Sequence, residues 1–510
     1  MTTGVFRIAV FGVVAVLCAG PAPAMADDAT ALMARHAAYV GWHAGDGIVK
    51  SLREIGEQTR DGKVRASLRS LHYGIAYRDT FVGASGLHFD DGFTGSVAWT
   101  SNENDFTVRA LGEVVRSIYD EQALFGELTA ATASFTPAVL RTQKVATVDC
   151  TVVRLTTPVG FPMDVYVDPA TGAYQRAVID PGGKYEESYD GLAYTEVDGK
   201  RFLSGWRFGD SKERFTYTKV EPNAAITADE LRPPKQTASW TFGDAPATVE
   251  YVDAPAPRLY VDLVVNGVKG KFILDTGAAD TVMVDSFARK AGAERFGTTA
   301  ISGIGEGVAK ANQFRVATIA VGGSILHDVI ISSGLDEEAF AHEGAVGLIG
   351  FDLLAGSIAD LSFDAKTLHL MDPAKVAPDE KAGMVVRVDL SDGHMRTPMR
   401  INDKFDVIAT LDSGNPADIL FSRDLIERDR MSFLVQLNLI REGVSGSEIE
   451  GCGKLGSLSL GPVRYQGPEA CASPSFARNE ILVGLDFMHA FNFVFDYPDG
   501  IIVMIPRKAY

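Results

Sequence analysis

Two tripeptides in this chain place a carboxylate, a hydroxyl and a glycine at the end of an apolar run. They are Asp275-Thr276-Gly277 after Phe272-Ile273-Leu274, and Asp412-Ser413-Gly414 after Ile408-Ala409-Thr410-Leu411. One copy would arise from composition alone in about one of every two or three chains of this length. Two copies, each on a strand-like run and each followed by a matching glycine-containing strand, point to duplication. Two carboxylates brought to one place cannot ionise independently, so one residue type supplies both an acid and a base. Gly277 and Gly414 let the chain turn sharply, so that each carboxylate faces a cleft. The hydroxyls of Thr276 and Ser413 are placed to donate to backbone across the pair and hold the two turns in register.

The repeat extends beyond the tripeptides, from about Ser239 to Tyr510. Tyr260–Asn266, a turn at Asn266-Gly267 and Gly270–Leu274 lead into the first acidic turn; Met399–Asn402, a turn at Asn402-Asp403 and Phe405–Leu411 lead into the second. Gly347-Leu348-Ile349-Gly350-Phe351-Asp352-Leu353-Leu354 is matched by Ile481-Leu482-Val483-Gly484-Leu485-Asp486-Phe487-Met488. Each is followed by Phe-Asp (Phe363-Asp364 and Phe495-Asp496), a turn and a last strand. The offset between halves drifts from 137 residues at the acidic turns to 134 at the glycines and 132 at Phe-Asp, as duplication with small loop changes would leave it. The boundary is expected near Pro373–Gly383.

In combination these motifs resemble those of the retropepsin-like aspartic proteases, here with both halves in one chain as in the pepsin type: apolar-apolar-Asp-[Thr/Ser]-Gly, then apolar-apolar-Gly before a short helix, twice. The resemblance covers the C-terminal half. It implies two β-barrel lobes with Asp275 and Asp412 as the catalytic pair and Thr276, Gly277, Ser413 and Gly414 as their support. Leu348-Ile349-Gly350 and Leu482-Val483-Gly484 would pack beneath. It also implies peptide hydrolysis by a water that one carboxylate deprotonates while the other protonates the carbonyl oxygen, with neither metal nor covalent intermediate. The two pKa values then belong to the pair, and neither aspartate is permanently acid or base.

Where the family has flaps, this chain has Ile301-Ser302-Gly303-Ile304-Gly305-Glu306-Gly307 and Gly443-Val444-Ser445-Gly446-Ser447. Ser302, Gly303, Ile304, Gly305, Ser445 and Gly446 are therefore flap candidates, an ordinary surface turn being the alternative. Neither stretch has the tyrosine of pepsin flaps, which sets the resemblance on the bacterial and retroviral side. One departure is Asn415-Pro416 after the second glycine, where the family has small residues and a proline redirects the chain. If that displaces Asp412, the fold is a peptide- or lipoprotein-binding protein without catalysis.

Other chemistries find no anchor. Gly303-x-Gly305-x-Gly307 lacks the spacing and βαβ setting of a dinucleotide site. The nine histidines show no HExxH or other metal spacing, no Gly-x-Ser-x-Gly elbow occurs, and no metal or cofactor is expected. With 48 basic against 66 acidic residues the net charge is −18, which argues against nucleic acid as a partner.

At 510 residues the chain is too long for one core, and 46% hydrophobic with 22% charged residues is ordinary globular composition. Arg7, the apolar run Ile8–Leu17 and Ala24-Met25-Ala26 read as a signal peptide over 1–26 cleaved after Ala26, an uncleaved anchor being the alternative. Cys18 follows Leu17, where lipid attachment wants a small residue. Over 27–232, helices are expected at Ala29–Tyr39, at Asp46–Gln58 (Ile48, Val49, Leu52 and Ile55 on one face) and within Val108–Leu128. Alternation predicts strands at Val64–Tyr77, Ser96–Thr100, Ala146–Thr156, Met163–Val167, Tyr174–Ile179 and Phe202–Phe208. Turns are expected at Asp168–Gly172, Asp90-Asp91-Gly92 and Asp180–Gly183. A curved antiparallel sheet holding a helix satisfies this pattern. With Val165–Gly172 it resembles the periplasmic lipoprotein-carrier half-barrel, which would make this region an apolar-ligand carrier; an unrelated α+β domain is the alternative. Cys150 reads as a buried thiol. Cys452 and Cys471 either bridge in an oxidising compartment or stay free, and spacing does not decide.

The fold class expected is mainly β. An α+β domain spans 27–232, a Pro-rich linker and leading strand 233–258, and two tandem retropepsin-like β-barrel lobes 239–378 and 379–510, forming a bilobal acid-protease fold. The function expected is an aspartic endopeptidase acting on polypeptide substrate, periplasmic or secreted and bacterial, with no stable membrane insertion after signal cleavage. One chain holds both acidic turns, so a monomer suffices.

Overall fold

The structure, a computed structural model, describes residues 22–507 apart from 43–45, 75, 84, 111–134, 157–161, 183–185, 210–211, 254–256, 303–307, 335–336, 343, 391–392, 423–424, 427–436, 444–445, 475 and 477–479. The expected signal peptide as far as residue 21 and most of the helix expected within Val108–Leu128 lie outside these residues. The protein is mainly β. Among the described residues the strands fall into three sheets, of thirteen, fourteen and nine strands.

The thirteen-stranded sheet is antiparallel throughout. Six strands follow in order from Ser51–Arg60 to Thr107–Arg109 and seven more from Thr136–Val145 to Glu213–Pro222. The first and last of these pair with each other, Gly56 opposite Tyr217, so all neighbours but these are consecutive in the described chain.

Three expectations fail here. The helix over Asp46–Gln58 is the strand Ser51–Arg60, and the first residues of the helix expected from Val108 are the strand Thr107–Arg109. In Ser51–Arg60 the alternation wins: Leu52 and Glu54 are buried while Ile55 is 39% exposed. Asp61 and Gly62, both at positive φ, fold this strand onto Lys63–Tyr73, and pairing on both edges outweighs a helical spacing of four apolar residues. Asp90-Asp91-Gly92 is not a turn but the middle of the strand His88–Phe93. Asp90 is buried and accepts from Arg78 Nε (2.7 Å), Thr80 Oγ1 and His88 Nδ1 (2.8 Å). Burial pushes its carboxyl up, but those bonds and the Arg78 charge bring it below the ordinary range. The run Val64–Tyr77 is two strands, broken at Gly74.

The helix Ala22–Val40 takes in the one expected at Ala29–Tyr39 and lies on this sheet, with Ala29 and Leu32 in a core with Val153, Val165, Ala177 and Leu203. The turn at Asp168–Gly172 seats it. Gly172, at φ 85°, lies against the Arg35 backbone, where a Cβ would collide. His36 donates from Nδ1 to the Gly172 carbonyl (2.8 Å) and stacks on Tyr174.

The other two sheets each contain one copy of the same unit. Val268–Leu274 runs parallel to Gly347–Ile349, which pairs antiparallel with Val282–Met283. Phe405–Leu411 runs parallel to Ile481–Val483, which pairs antiparallel with Ile419–Ser422. Beneath them Ile358–Ser362 of the first repeat pairs with Phe491–Asp496 of the second, and Ile501–Pro506 continues that sheet to Met384–Arg387. One hydrophobic core runs through both repeats, from Leu259 through Phe421 to Met504. Much of the Pro-rich segment belongs to it as well: Ser239–Thr241 pairs with Ser324–Ser333, and Ala247–Val252 with Arg258–Val265.

The turn 102–106 joins the thirteen-stranded sheet to the first repeat. Asn104 Nδ2 donates to the Ile330 carbonyl (3.0 Å) and Oδ1 accepts the Ile330 N–H (2.8 Å). Phe106 is buried in the core of the repeats against Gly356. Among the described residues no helix is long and apolar enough to cross a membrane.

Candidate active site

Each aspartate of the repeat ends a buried strand and is tied to the strand beside it. The Asp275 N–H donates to the Ile349 carbonyl (3.0 Å) and the Asp412 N–H to the Val483 carbonyl (2.9 Å). The glycine closing each apolar-apolar-Gly motif answers to crowding. A Cβ on Gly350 would strike the Asp280 carbonyl, and one on Gly484 the Ala417 carbonyl. This close approach returns the chain to the acidic turn, where Phe351 N–H donates to Ala278 O and Leu485 N–H to Asn415 O, both at 2.9 Å. The short helices Phe351–Leu354 and Leu485–Met488 begin there.

The two turns meet through their hydroxyls. Thr276 Oγ1 donates to the Leu411 carbonyl (2.8 Å) and accepts the Ser413 N–H (3.0 Å). Ser413 Oγ donates to the Leu274 carbonyl (2.8 Å) and accepts the Thr276 N–H (3.0 Å). The four bonds form a reciprocal lattice, and at 3% exposure for Thr276 and 0% for Ser413 it is shielded from water. It sets each carboxylate over the other turn's glycine: a Cβ on Gly277 would occupy the Asp412 carboxylate, and one on Gly414 that of Asp275.

The pair is not electrostatically symmetric. Asp275 Oδ1 accepts the Gly277 N–H (3.0 Å), whereas Asp412 Oδ1 accepts both the Gly414 N–H (2.9 Å) and the Asn415 N–H (3.1 Å). Burial, then the charge of Asp412 and a hydrogen bond with its carboxyl, hold the Asp275 carboxyl well above the ordinary carboxylate range. The Gly277 N–H and the Arg258 charge oppose this more weakly. Two such carboxylates can hold one proton between them. Asn415 stays inside the turn, its Oδ1 accepting the Ala417 N–H (3.2 Å), so Pro416 leaves Asp412 in place.

The arms of both glycine-rich stretches are hairpins. Glu294–Ser302 pairs with Val308–Val321, Ser302 opposite Val308; Leu437–Gly443 pairs with Gly446–Lys454, Gly443 opposite Gly446. Ser302 and Gly446 end described arms, while Gly303, Ile304, Gly305 and Ser445 lie outside the described residues. Cys452 and Cys471 stand opposite each other on neighbouring strands, joined by a disulfide in a buried cluster with Leu420 and Leu482. Cys150 is a buried free thiol. Sequence reasoning missed Thr281 and Arg258 and read Asn415 as a departure rather than as a donor to Asp412. Thr281 Oγ1 accepts the Gly350 N–H (3.0 Å), a hydroxyl whose fixed distance past Asp-Thr-Gly was legible. The Asn415 N–H and the Arg258 charge act through geometry that no spacing announces.

The profile of a family described as "gag-polyprotein putative aspartyl protease" matches residues 261–355, the stretch holding the first acidic turn and Leu348-Ile349-Gly350. Among solved structures, a DUF1329 family protein from Desulfovibrio piger is similar at 13% identity over 41% of this chain and 97% of its own, with a TM-score of 0.28. A retropepsin-like aspartic protease from Rickettsia conorii is similar at 16% identity over 24% of this chain and 88% of its own, with a TM-score of 0.20. No curated protein matches the chain. The first repeat is thus similar to a retropepsin-like aspartyl protease domain.

Proposed function

We propose that the chain is an aspartic endopeptidase of bilobal form, its two repeats the lobes and Asp275 and Asp412 the catalytic pair. The observation that carries this is the reciprocal lattice of Thr276 and Ser413, which fixes two carboxylates against each other through buried bonds. A binding cleft needs no such alignment. Holding two acids together costs ionisation energy that a binding protein has no reason to retain.

In the resting pair the shared proton sits on Asp275 and the charge on Asp412, whose Oδ1 has the extra N–H donor. Water between them gives a proton to Asp412 as its oxygen attacks the peptide carbonyl carbon, and Asp275 gives its proton to the carbonyl oxygen. The product is a neutral tetrahedral diol. As the C–N bond breaks, Asp412 protonates the departing nitrogen and a diol hydroxyl returns its proton to Asp275, so the pair ends as it began. The two glycine-rich hairpins serve as flaps over an extended polypeptide. Both acids come from one chain, so a monomer suffices for the site, and the apolar run Ile8–Leu17 before Ala24-Met25-Ala26, read as a signal peptide, supports an exported location.

The test is cleavage of an unstructured polypeptide across pH. A bell-shaped, acid-shifted profile is expected, with inhibition by a statine-type transition-state mimic and loss of cleavage in both Asp275→Asn and Asp412→Asn. Full activity in either variant removes that carboxylate from the mechanism. Absence of cleavage by the wild type, with peptide binding retained, leaves a binding protein instead.

A further inference from the structure

A second group of acids lies behind the first acidic turn. The chain leaving Asp275-Thr276-Gly277 passes Asp280, the helix after Gly350 carries Asp352, and the turn 102–106 brings Glu103 to both. One carboxylate oxygen of each residue lies within 4.8 Å of those of the other two. Asp352 is 1% exposed. Its Oδ1 accepts the N–H groups of Thr281 (2.7 Å) and Leu353 (2.6 Å). Its Oδ2 is buried without a hydrogen-bond partner among the described residues, the one of its two oxygens that no N–H satisfies.

The second repeat shows how the same place is built without this demand. There Asp486 stands where Asp352 does, but Ala417 stands where Asp280 does, its carbonyl against Gly484 as that of Asp280 is against Gly350. In the first repeat the turn 102–106 adds a third carboxylate, that of Glu103. Asn102 and Asn104 fix the turn that presents it, through bonds to Asp352 O (3.4 Å) and to the Ile330 backbone. The basic group that Asp280 feels is His394. Carboxylates held this close repel one another, and a cation that joins them relieves the repulsion.

We propose that Glu103, Asp280 and Asp352 bind one hard divalent cation, of the calcium class, which pins the 102–106 turn to the first repeat. An all-oxygen donor set with no imidazole or thiolate selects calcium, magnesium or manganese over zinc or copper. The ion joins the thirteen-stranded sheet to the segment between the Asp275 turn and Gly350. The site stands whether or not Asp275 and Asp412 are catalytic.

The experiment uses the full chain, stripped with EDTA and dialysed against millimolar calcium chloride. One bound calcium per chain is expected by elemental analysis, with a thermal midpoint a few degrees higher than in EDTA. Glu103→Gln, on the half-buried turn, should weaken calcium binding by about tenfold or more and abolish the thermal shift. Asp280→Asn is the second, independent variant should the first fold poorly. Wild-type protein that binds none of calcium, magnesium or manganese at millimolar concentration overturns the proposal, as does undiminished calcium binding by a folded Glu103→Gln or Asp280→Asn. A midpoint that rises on acidification and ignores cations assigns the cluster to shared protons and also overturns it.

Discussion

Replacing Thr276 by valine keeps the shape of the side chain and removes one oxygen, which makes it the sharpest test of how the two turns are held. That oxygen makes two of the four bonds in the lattice, to the Leu411 carbonyl and from the Ser413 N–H. Thr276→Val leaves both backbone groups unpaired in a place where Thr276 is 3% and Ser413 0% exposed. Each buried orphan costs about 1–3 kcal/mol, so the variant loses about 2–6 kcal/mol from the aligned arrangement. The molecule recovers part of this by letting the turns part and water enter. A displacement of about 1 Å between reacting groups costs on the order of a hundredfold in rate. Thermal midpoint and kcat on a peptide substrate read the two consequences separately. Thr276→Ser keeps the hydroxyl and should sit near wild type. Ser413→Ala removes the other two bonds and should match Thr276→Val, with the double variant losing less than the sum, since parted turns already admit water. A Thr276→Val protein with wild-type midpoint and kcat refutes the reasoning. A Thr276→Ser variant as damaged as Thr276→Val shows that the methyl group, not the hydroxyl, was what mattered.

Three further outcomes are expected. The folded protein holds the Asp275 proton longer than the unfolded chain does, so between the ordinary carboxylate pKa and the raised one stability falls as pH rises, by up to about 1.4 kcal/mol per pH unit. Asp275→Asn removes that loss. It should melt above wild type at neutral pH and converge with it in acid, and a variant no more stable at neutral pH contradicts the assignment. Gly414→Ala drives a methyl onto the Asp275 carboxylate, and both cleavage and binding of a transition-state mimic should vanish; wild-type kcat would show the turns lie further apart. Asn104→Leu strips both backbone groups of Ile330 of their partner, about 2–6 kcal/mol at the junction of the thirteen-stranded sheet and the first repeat. Limited proteolysis near residues 102–106 should accelerate, and unchanged rates would show that the junction does not depend on this contact.

The repeats were legible because their chemistry restricts residue type. Glycine is required at 277, 350, 414 and 484 by the approach of a carboxylate or a carbonyl, and hydroxyls are required at 276 and 413. Such constraints leave a pattern at fixed spacing. The thirteen-stranded sheet leaves none of that kind. Its strand Ser51–Arg60 carries apolar residues at helical spacing, and only its two partners, one of them Glu213–Pro222 far along the chain, decide for strand. Asp90-Asp91-Gly92 has turn composition, yet Arg78, Thr80 and His88 make a buried carboxylate tolerable in mid-strand. Glu103 was invisible for the same reason: its neighbours Asp280 and Asp352 come from remote parts of the chain.

The support beneath Asp412 has a consequence for biosynthesis. The strand that receives its N–H ends at Val483, and the strands that stitch the two repeats together are Phe491–Asp496 and Ile501–Pro506. Ribosomes deliver residues in order, so a nascent polypeptide that has already released both acids still lacks the seat of the second. Whatever cutting power the pair possesses is withheld until Ile481–Val483, Phe491–Asp496 and Ile501–Pro506 have emerged and paired.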